Sequence, residues 1–388
     1  MFLFHPIDLP KLKITPTYEE RFRFERRIDR DFYETANDNR SDLHTRVRVG
    51  AKITSDSEWS GTVQFQYAHN AIWAFAKNKS AEFRDVTLAN AQRKTKTSTT
   101  TIGRQKIELG SQRLIGPLEW SATSRTFDGI RHQQGPWDVF GFAIPLNPTH
   151  VYDARVIGVS HKDQYGDMGL IHKTDKIAAG SINHTTVFRT VNKKVGQTTY
   201  DFEGAAQFGK WAGRDMQTWA YHVMATQPVS EKTKVFVEAN AASGGSATGT
   251  MRTFDNLYPT NHKFYGSMDL LAWKNMNEFA IGVQTAPTKK TDIKLSYRVF
   301  SLRDKHDGWY GAAGGLNKGV NGNFVDATGA SGNNLGSEID LEYTMKMNKN
   351  STIIAGLSTF NPGGFVDKRS NNNAKTQYWG YVGFEHKF

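Results

Sequence analysis

Residues Gly103 to Arg131 read GRQKIELGSQRLIGPLEWSATSRTFDGIR. The stretch opens extended, breaks at Gly110, runs from 111 to 125 with no clean period, and becomes extended again at Thr126. A strand repeats its apolar positions every second residue and a helix every 3.6, and the middle of this stretch does neither. It carries Arg104, Arg113, Arg125 and Arg131, with Glu108 and Asp128 between them. The reading is a strand, a long loop over 108–125 folded inward, and a second strand.

Period-two segments flank it on both sides. Arg46 to Ile53 sets Val47, Val49, Ala51 and Ile53 on one face and Arg46, Arg48 and Lys52 on the other. Tyr18, Glu20, Phe22 and Phe24 oppose Glu19, Arg21, Arg23 and Glu25, and Ile293, Leu295, Tyr297 and Val299 oppose Lys294, Ser296 and Arg298. Such segments fall near 14–27, 43–53, 59–69, 84–94, 98–107, 126–134, 137–145, 153–161, 167–174, 183–192, 197–209, 215–225, 233–243, 276–286, 291–302, 337–347, 351–360 and 376–388. Alternation is poorest over 84–94, 126–145 and 167–174. Short connections near 56, 95, 135, 195, 230, 289 and 349 alternate with longer ones, Asn70 to Arg84, Ser243 to Asn275, Arg303 to Gly336 and Asn361 to Lys375. A soluble two-sheet protein has no reason to sort its loops this way. The expected fold is all-β: one closed antiparallel transmembrane β-barrel of about 18 strands over residues 1–388, with long loops at one end and short turns at the other. The last residues, YWGYVGFEHKF, place Tyr378, Val382, Phe384 and Phe388 on one face, as in a barrel-closing strand.

Composition agrees with this. The 388 residues are 38% hydrophobic and 12% aromatic, with 35 glycines and no cysteine, and the mean hydropathy is −0.57. No apolar run is long enough for a transmembrane helix. Only alternate residues of a barrel strand meet lipid, so a polar average is compatible with the membrane. Without cysteine there is no disulfide scaffold and no thiolate metal site. The leading MFLFHPIDLPKLK lacks the layout of a signal peptide, so the numbering reads as a mature form with an added Met1.

GRQKI, RTFDGIR, YDFEGAAQFGK and FDNLYPTNHKFYG, the last opening Phe254 to Asn275, resemble the alginate-export family of outer-membrane β-barrels. The resemblance implies an 18-stranded channel in the bacterial outer membrane, conducting alginate or polymannuronate through an arginine-rich conduit. It puts Arg104 and Arg131 on family motif positions. The chain is shorter than other members, with trimmed loops, which leaves a loop gate and the polymer open.

The net charge of +11 is scattered singly over strands, without the basic cluster of a nucleic-acid reader. The pore-lining candidates are Arg21, Arg23, Arg46, Arg48, Arg104, Arg113, Arg125, Arg131, Lys294 and Arg298. Supporting acids are Glu19, Asp128, Asp201, Glu203, Asp255 and Asp269. Two readings of these charges stand: ion pairs that anchor strands and loops, or an excess of guanidinium that attracts carboxylates bidentately. A second loop, 244–275, is expected in or over the lumen. Its Asp255 and Asp269 could steady arginines or meet sugar hydroxyls, and Tyr265 and Trp273 either stack on sugars or pack the loop.

The expected partners are an anionic polysaccharide, outer-membrane lipid and periplasmic secretion components, with a monomeric barrel, no nucleic acid, no cofactor and no metal. No HExxH, P-loop or GxSxG motif is present, so no catalytic residue is assigned. The alternatives are a general anion porin, an uptake channel for acidic oligosaccharides, and a barrel enzyme acting on polysaccharide or lipid.

Overall fold

The computed structural model describes residues 11–34, 38–74, 79–144 and 154–388, without the side chains of 73, 74 and 79. The leading MFLFHPIDLP, read above as the start of a mature form, lies outside the described residues, as do the ends of the expected strands at 145 and 153. Among these described residues, twenty strands follow in chain order. They are β1 (Leu12–Ile28), β2 (Arg40–Ser55), β3 (Trp59–Ala74), β4 (Lys79–Lys94), β5 (Ser98–Gln105), β6 (Phe127–Gln134), β7 (Trp137–Ala143), β8 (Arg155–Lys162), β9 (Asp167–Ile177) and β10 (Gly180–Val195). Then come β11 (Thr198–Trp211), β12 (Arg214–Pro228), β13 (Thr233–Ala242), β14 (Met276–Thr288), β15 (Thr291–Ser301), β16 (Lys318–Gly319), β17 (Gly322–Asn323), β18 (Asn334–Lys346), β19 (Ser351–Pro362) and β20 (Gln377–Lys387). The tiny β16 and β17 pair only with each other, and one short helix, α1 (Gly364–Arg369), lies in the last long loop.

The other 18 strands form one antiparallel sheet. β1 pairs with β2 through Arg21↔Arg46 and with β20 through Phe22↔Phe384, so the sheet closes on itself and leaves no free edge. Tyr18 and Phe388 exchange backbone hydrogen bonds at 3.0 Å and stack their rings at 5.2 Å across this join. Alternation decides the two faces. Val49, Phe65, Phe202, Tyr221, Leu295 and Ile339 are exposed on the outside. Arg48, Gln66, Glu203, His222, Arg298 and Asp340 are buried on the inside. An Arg or Lys at the midplane of a lipid-facing strand costs about 2–4 kcal/mol, which explains why the charge collects inward.

Loop lengths sort by end, with exceptions. Every connection at one end, such as 56–58, 163–166 and 289–290, is four residues or fewer. The other end carries 106–126, 243–275 and 302–333, but also the two-residue turns 178–179 and 212–213. The expected long loop from Asn70 to Arg84 is instead mostly strand. β3 and β4 pair from Trp59↔Arg93 up to Ile72↔Lys79, beyond the apolar belt, where the outward Glu82 and Arg84 are polar and hide the strand signal. The wall is also uneven. β1 to β4 run 16–17 residues, whereas β5 to β8 run only 7–8.

The lumen contains the apolar core. Phe254, Tyr265 and Trp273 from the 243–275 loop, Trp309 and Phe324 from 302–333, and Phe32 from the first long loop are all fully buried. Phe32 packs against Trp309 at 5.4 Å and Phe324 at 5.8 Å. Each buried phenylalanine contributes about 2 kcal/mol, enough to hold these loops inside rather than above the barrel.

Candidate functional site

The low wall at β5 positions the site. After Gln105 the chain leaves the sheet and turns into the lumen, and it rejoins at Phe127 opposite Gln105. Gly110 supplies the turn with φ of 55°. Leu109 N–H donates to Ile115 O at 3.1 Å, closing a small loop hairpin. Gly116 N–H donates to Tyr258 O at 2.9 Å and Tyr258 N–H to Leu114 O at 2.9 Å, so the two lumenal loops pair with each other. Gly116 allows this approach, because a Cβ there would meet Thr260 Oγ1 at 2.3 Å. The loops expected at 108–125 and 244–275 are therefore both inside.

Four arginines on neighbouring strands hold the tip of the first loop. Arg21 donates from both Nη atoms, to Glu119 O and Ser121 O, each at 2.6 Å. Arg46 donates to Glu119 O at 3.0 Å and to Glu19 at 2.5 Å. Arg23 donates to Trp120 O at 2.8 Å and Glu25 at 2.7 Å. Arg48 reaches Glu119 Oε2 at 2.9 Å, Ser124 Oγ at 2.8 Å and Gln66 at 2.8 Å. Lys106 adds an ion pair to Glu119 at 2.5 Å. Five cations thus meet the three carboxylates of Glu19, Glu25 and Glu119, and much of the guanidinium hydrogen bonding goes to neutral carbonyls. Burial works against a charged Glu119, but Arg48, Lys106 and Arg46 outweigh it and hold the carboxyl at about 2.

The opposite wall carries more carboxylates than Lys and Arg cations. Arg113 donates to Glu238 at 3.3 Å, sits 3.0 Å from His222 Nδ1, and lies over the Phe264 ring at 3.9 Å. Arg298 contacts Glu278, Glu238 and Asp340. Lys173 at 2.8 Å and His184 at 2.9 Å both hold Asp255. Burial opposes that charge as well, yet Lys173 and His184 keep the Asp255 carboxyl far below the usual carboxylate range. Ser111 donates to Glu203, and Asn192 to Asp201. Lys294 pairs with Glu342 at 2.9 Å. Two cavities flank the loops. One of about 490 Å³ opens among Arg23, Arg27, Arg40, Trp120, Arg125 and Trp379 toward the long-loop end. Another of about 640 Å³ opens among Arg113, Lys162, Glu203, Lys234, Lys294 and Arg298 toward the short turns.

Several expected site residues do other work. Arg104 does not face the lumen. It shares a face with Ile102, and its register partner Asp128 shares one with Ile130; both isoleucines are about half exposed on the outer wall. Its Nε donates to Asp128 at 2.7 Å and its Nη1 to Val86 O at 3.0 Å and Asp85 at 3.1 Å. The β4–β5 ladder starts only at Ala89, so Arg104 fills the seam where β5 leaves β4. Asp128 belongs to this seam too, outside the bore. Arg131 does point inward, but it is locked bidentately on Asp138 at 3.0 and 2.6 Å. Arg125 donates to Gly116 O at 3.1 Å and Pro259 O at 2.9 Å, tying loop to loop; burial lowers its pKa to about 10. Asp269 accepts from His262 at 3.0 Å, and among the described residues it takes no hydrogen bond from an arginine. Tyr265 and Trp273 pack the loop and present no sugar platform.

Sequence reasoning missed Trp120, Lys173, His184 and His222 as site residues. The histidines and Lys173 sit in phase with inward residues of their strands, a usable signal. Trp120, stacked on His262 at 3.8 Å, lies in an aperiodic segment and carried none.

The comparisons fit this architecture. OpdK of Pseudomonas aeruginosa, solved with vanillate, superposes with a TM-score of 0.62 at 11% identity, covering 97% of this chain and 99% of that one. OccK5 (OpdH) of the same organism gives 0.61 at 10% identity over 97% and 98%. OccD3 (OpdP) gives 0.61 at 12% identity over 97% and 91%. At such identities these structures establish the shared 18-strand barrel fold alone. No curated protein matches the chain. The family profile described as alginate export matches residues 14–379, nearly the whole length. With its closed barrel and inward-folded loops, the chain belongs to the alginate-export family and is an outer-membrane channel protein.

Proposed function

We propose that this channel passes an anionic polysaccharide of the alginate or polymannuronate type through an electropositive lumen. The observation that carries the reading is the local excess of positive charge where β1 and β2 meet the inserted loop. Arg21 spends both Nη atoms on carbonyl oxygens, and no carboxylate lies in ion-pair distance among the described residues. Its charge, with those of Arg23, Arg46 and Arg48, is only partly cancelled by Glu19, Glu25 and Glu119. Low-dielectric walls focus such a field on the solution beside it, although the guanidinium groups themselves lie beneath the loop tip. A polyuronate presents one carboxylate per sugar, and weak attraction repeated along it permits passage without a trap.

The test is single-channel recording in planar bilayers with added oligomannuronate. The wild type is expected to prefer anions and to be blocked by the oligomer, with block weakening as salt rises. Arg21→Gln with Arg46→Gln keeps donors for the loop carbonyls but removes two charges. It is expected to weaken block about tenfold and shift the reversal potential toward cations. Unaltered block and selectivity in that double variant would sink the electropositive-lumen reading.

A further inference from the structure

A groove of about 710 Å³ lies on the outer wall over β13 to β15, toward the short-turn end. Two adjacent rungs build it, Val235↔Val283↔Leu295 and Val237↔Ile281↔Tyr297. These side chains are in phase with the outward face of their strands, and Val235, Val237, Ile281, Leu295 and Tyr297 are exposed. The groove therefore opens to hydrocarbon and not to the bore.

Three neighbouring turns below it, 229–232, 289–290 and 347–350, carry the exposed Lys232, Lys289, Lys290 and Lys349. Hydrogen bonds hold these turns side by side. Ala286 N–H donates to Lys232 O and Lys346 N–H to Lys290 O, each at 2.8 Å. Lys232 Nζ donates to Pro287 O at 3.2 Å and Lys290 Nζ to Met347 O at 3.4 Å. Among the described residues none of the four lysines forms an ion pair, and Glu231 is the one acid in these turns. The nearest strand acids, Asp292 and Glu342, are in phase with inward residues and bond Gln284 and Lys294. Elsewhere at this end Trp59, Trp137 and Tyr200 stand exposed beside their turns. On β12 to β15 the outward residues at that level are Gln227, Val235, Thr285 and Ile293. The aromatic girdle of a membrane barrel is thus interrupted where the lysines gather.

In an outer-membrane barrel the short turns face the periplasm. We propose that this face binds an anionic phospholipid of the periplasmic leaflet, with an acyl chain in the groove and the phosphate among Lys232, Lys289 and Lys290. A phospholipid joins its apolar chains to its phosphate at the membrane interface, the same order in which groove and lysines follow along the barrel axis. Lysine suits the headgroup side, because its apolar stem rests on the wall while the ammonium reaches the interface. Each such lysine adds to the attraction for an anionic headgroup. A second copy of the chain docked through the same patch would set lysine against lysine. The site lies outside the bore, so it stands whether or not the lumen passes a polyuronate.

The experiment is native mass spectrometry of the purified barrel with phosphatidylglycerol and phosphatidylcholine of matched acyl chains. Phosphatidylglycerol should be retained about tenfold more than phosphatidylcholine. Lys232→Gln, Lys289→Gln and Lys290→Gln together should cut its retention about tenfold and leave phosphatidylcholine unchanged. Removing as many charges elsewhere at this end, by Lys96→Gln, Lys193→Gln and Lys194→Gln, should leave retention as in the wild type. Phosphatidylglycerol with a photoreactive acyl chain should label peptides of β13 to β15. Equal retention of the two lipids, equal loss in both triple variants, retention unaltered in the first, or labelling spread evenly around the barrel overturns the site. So does a dimer that forms through this face and excludes lipid.

Discussion

The guanidinium of Arg23 lies over the indole of Trp120, its carbon 3.7 Å from the ring centroid, while its Nη1 donates to the Trp120 carbonyl at 2.8 Å. One strand residue thus grips both the side chain and the backbone of the loop tip. Trp120 also stacks on His262 of the second loop, which joins the two loops through a single ring. Removing the indole should loosen the tip of the first loop, while the Gly116–Tyr258 and Arg125–Pro259 bonds still tie the two loops together. Trp120→Ala is expected to raise single-channel conductance and current noise, and to cost about 2 kcal/mol from the lost cation–π contact and packing. Conductance traces with denaturant unfolding check this, and a quiet, wild-type conductance would contradict it.

Glu119 makes the loop tip sensitive to acid. Its carboxyl is held at about 2 in the folded protein, against an ordinary 4.5. A depressed carboxylate stabilises the fold fully above the unfolded value and loses that contribution as pH falls through the folded one. The anchoring to Arg48, Arg46 and Lys106 should therefore be intact above about pH 5 and vanish toward pH 2. Trp120 fluorescence followed with pH should show a transition in that window. In Glu119→Gln it should be absent.

Arg104 and Arg21 should separate structure from conduction. Arg104→Ala leaves Val86 O, Asp85 and Asp128 without this donor at the seam, at a cost of about 1–3 kcal/mol. It should lower the unfolding midpoint and leave anion preference as it was. Arg21→Gln should do the reverse. Reversal potentials and heat-modifiability on gels, measured for both variants, decide; a selectivity change in Arg104→Ala would put it back in the bore.

Asp255 is the hinge pin of the second loop. Asp255→Ala would strand Lys173 inside the barrel and take the acceptor from His184. Breaking a buried pair this way costs about 3–5 kcal/mol. The 243–275 loop should then become cleavable by added protease in intact barrels. Resistance equal to wild type would show that the apolar core of the loop suffices.

The strands and the two faces were legible because side-chain alternation is a local property and lipid forbids charge on one face. Arg46 to Ile53 alone states which side is wet. Arg104 shows the limit of reading polarity as direction. Ile102 and Arg104 are two residues apart, as are Asp128 and Ile130, so the alternation already sets the arginine outward. Its charge suggested the lumen instead, and only the missing β5 rungs above Ala89 reveal the carbonyl it serves.

What the chain's own order of residues determined was the number of strands, their two faces and the stretch that must leave the sheet, since each depends on neighbours along the chain. Tertiary structure alone decided which cations are cancelled. Arg131 finds Asp138 diagonally across the β6–β7 hairpin, Arg113 finds Glu238 from the inserted loop, and Arg21 finds the carbonyls of Glu119 and Ser121. Ion pairing acts over a few ångströms in space, and a closed barrel brings residue 21 beside residue 119 and residue 113 beside residue 238 with no periodic signal to announce it.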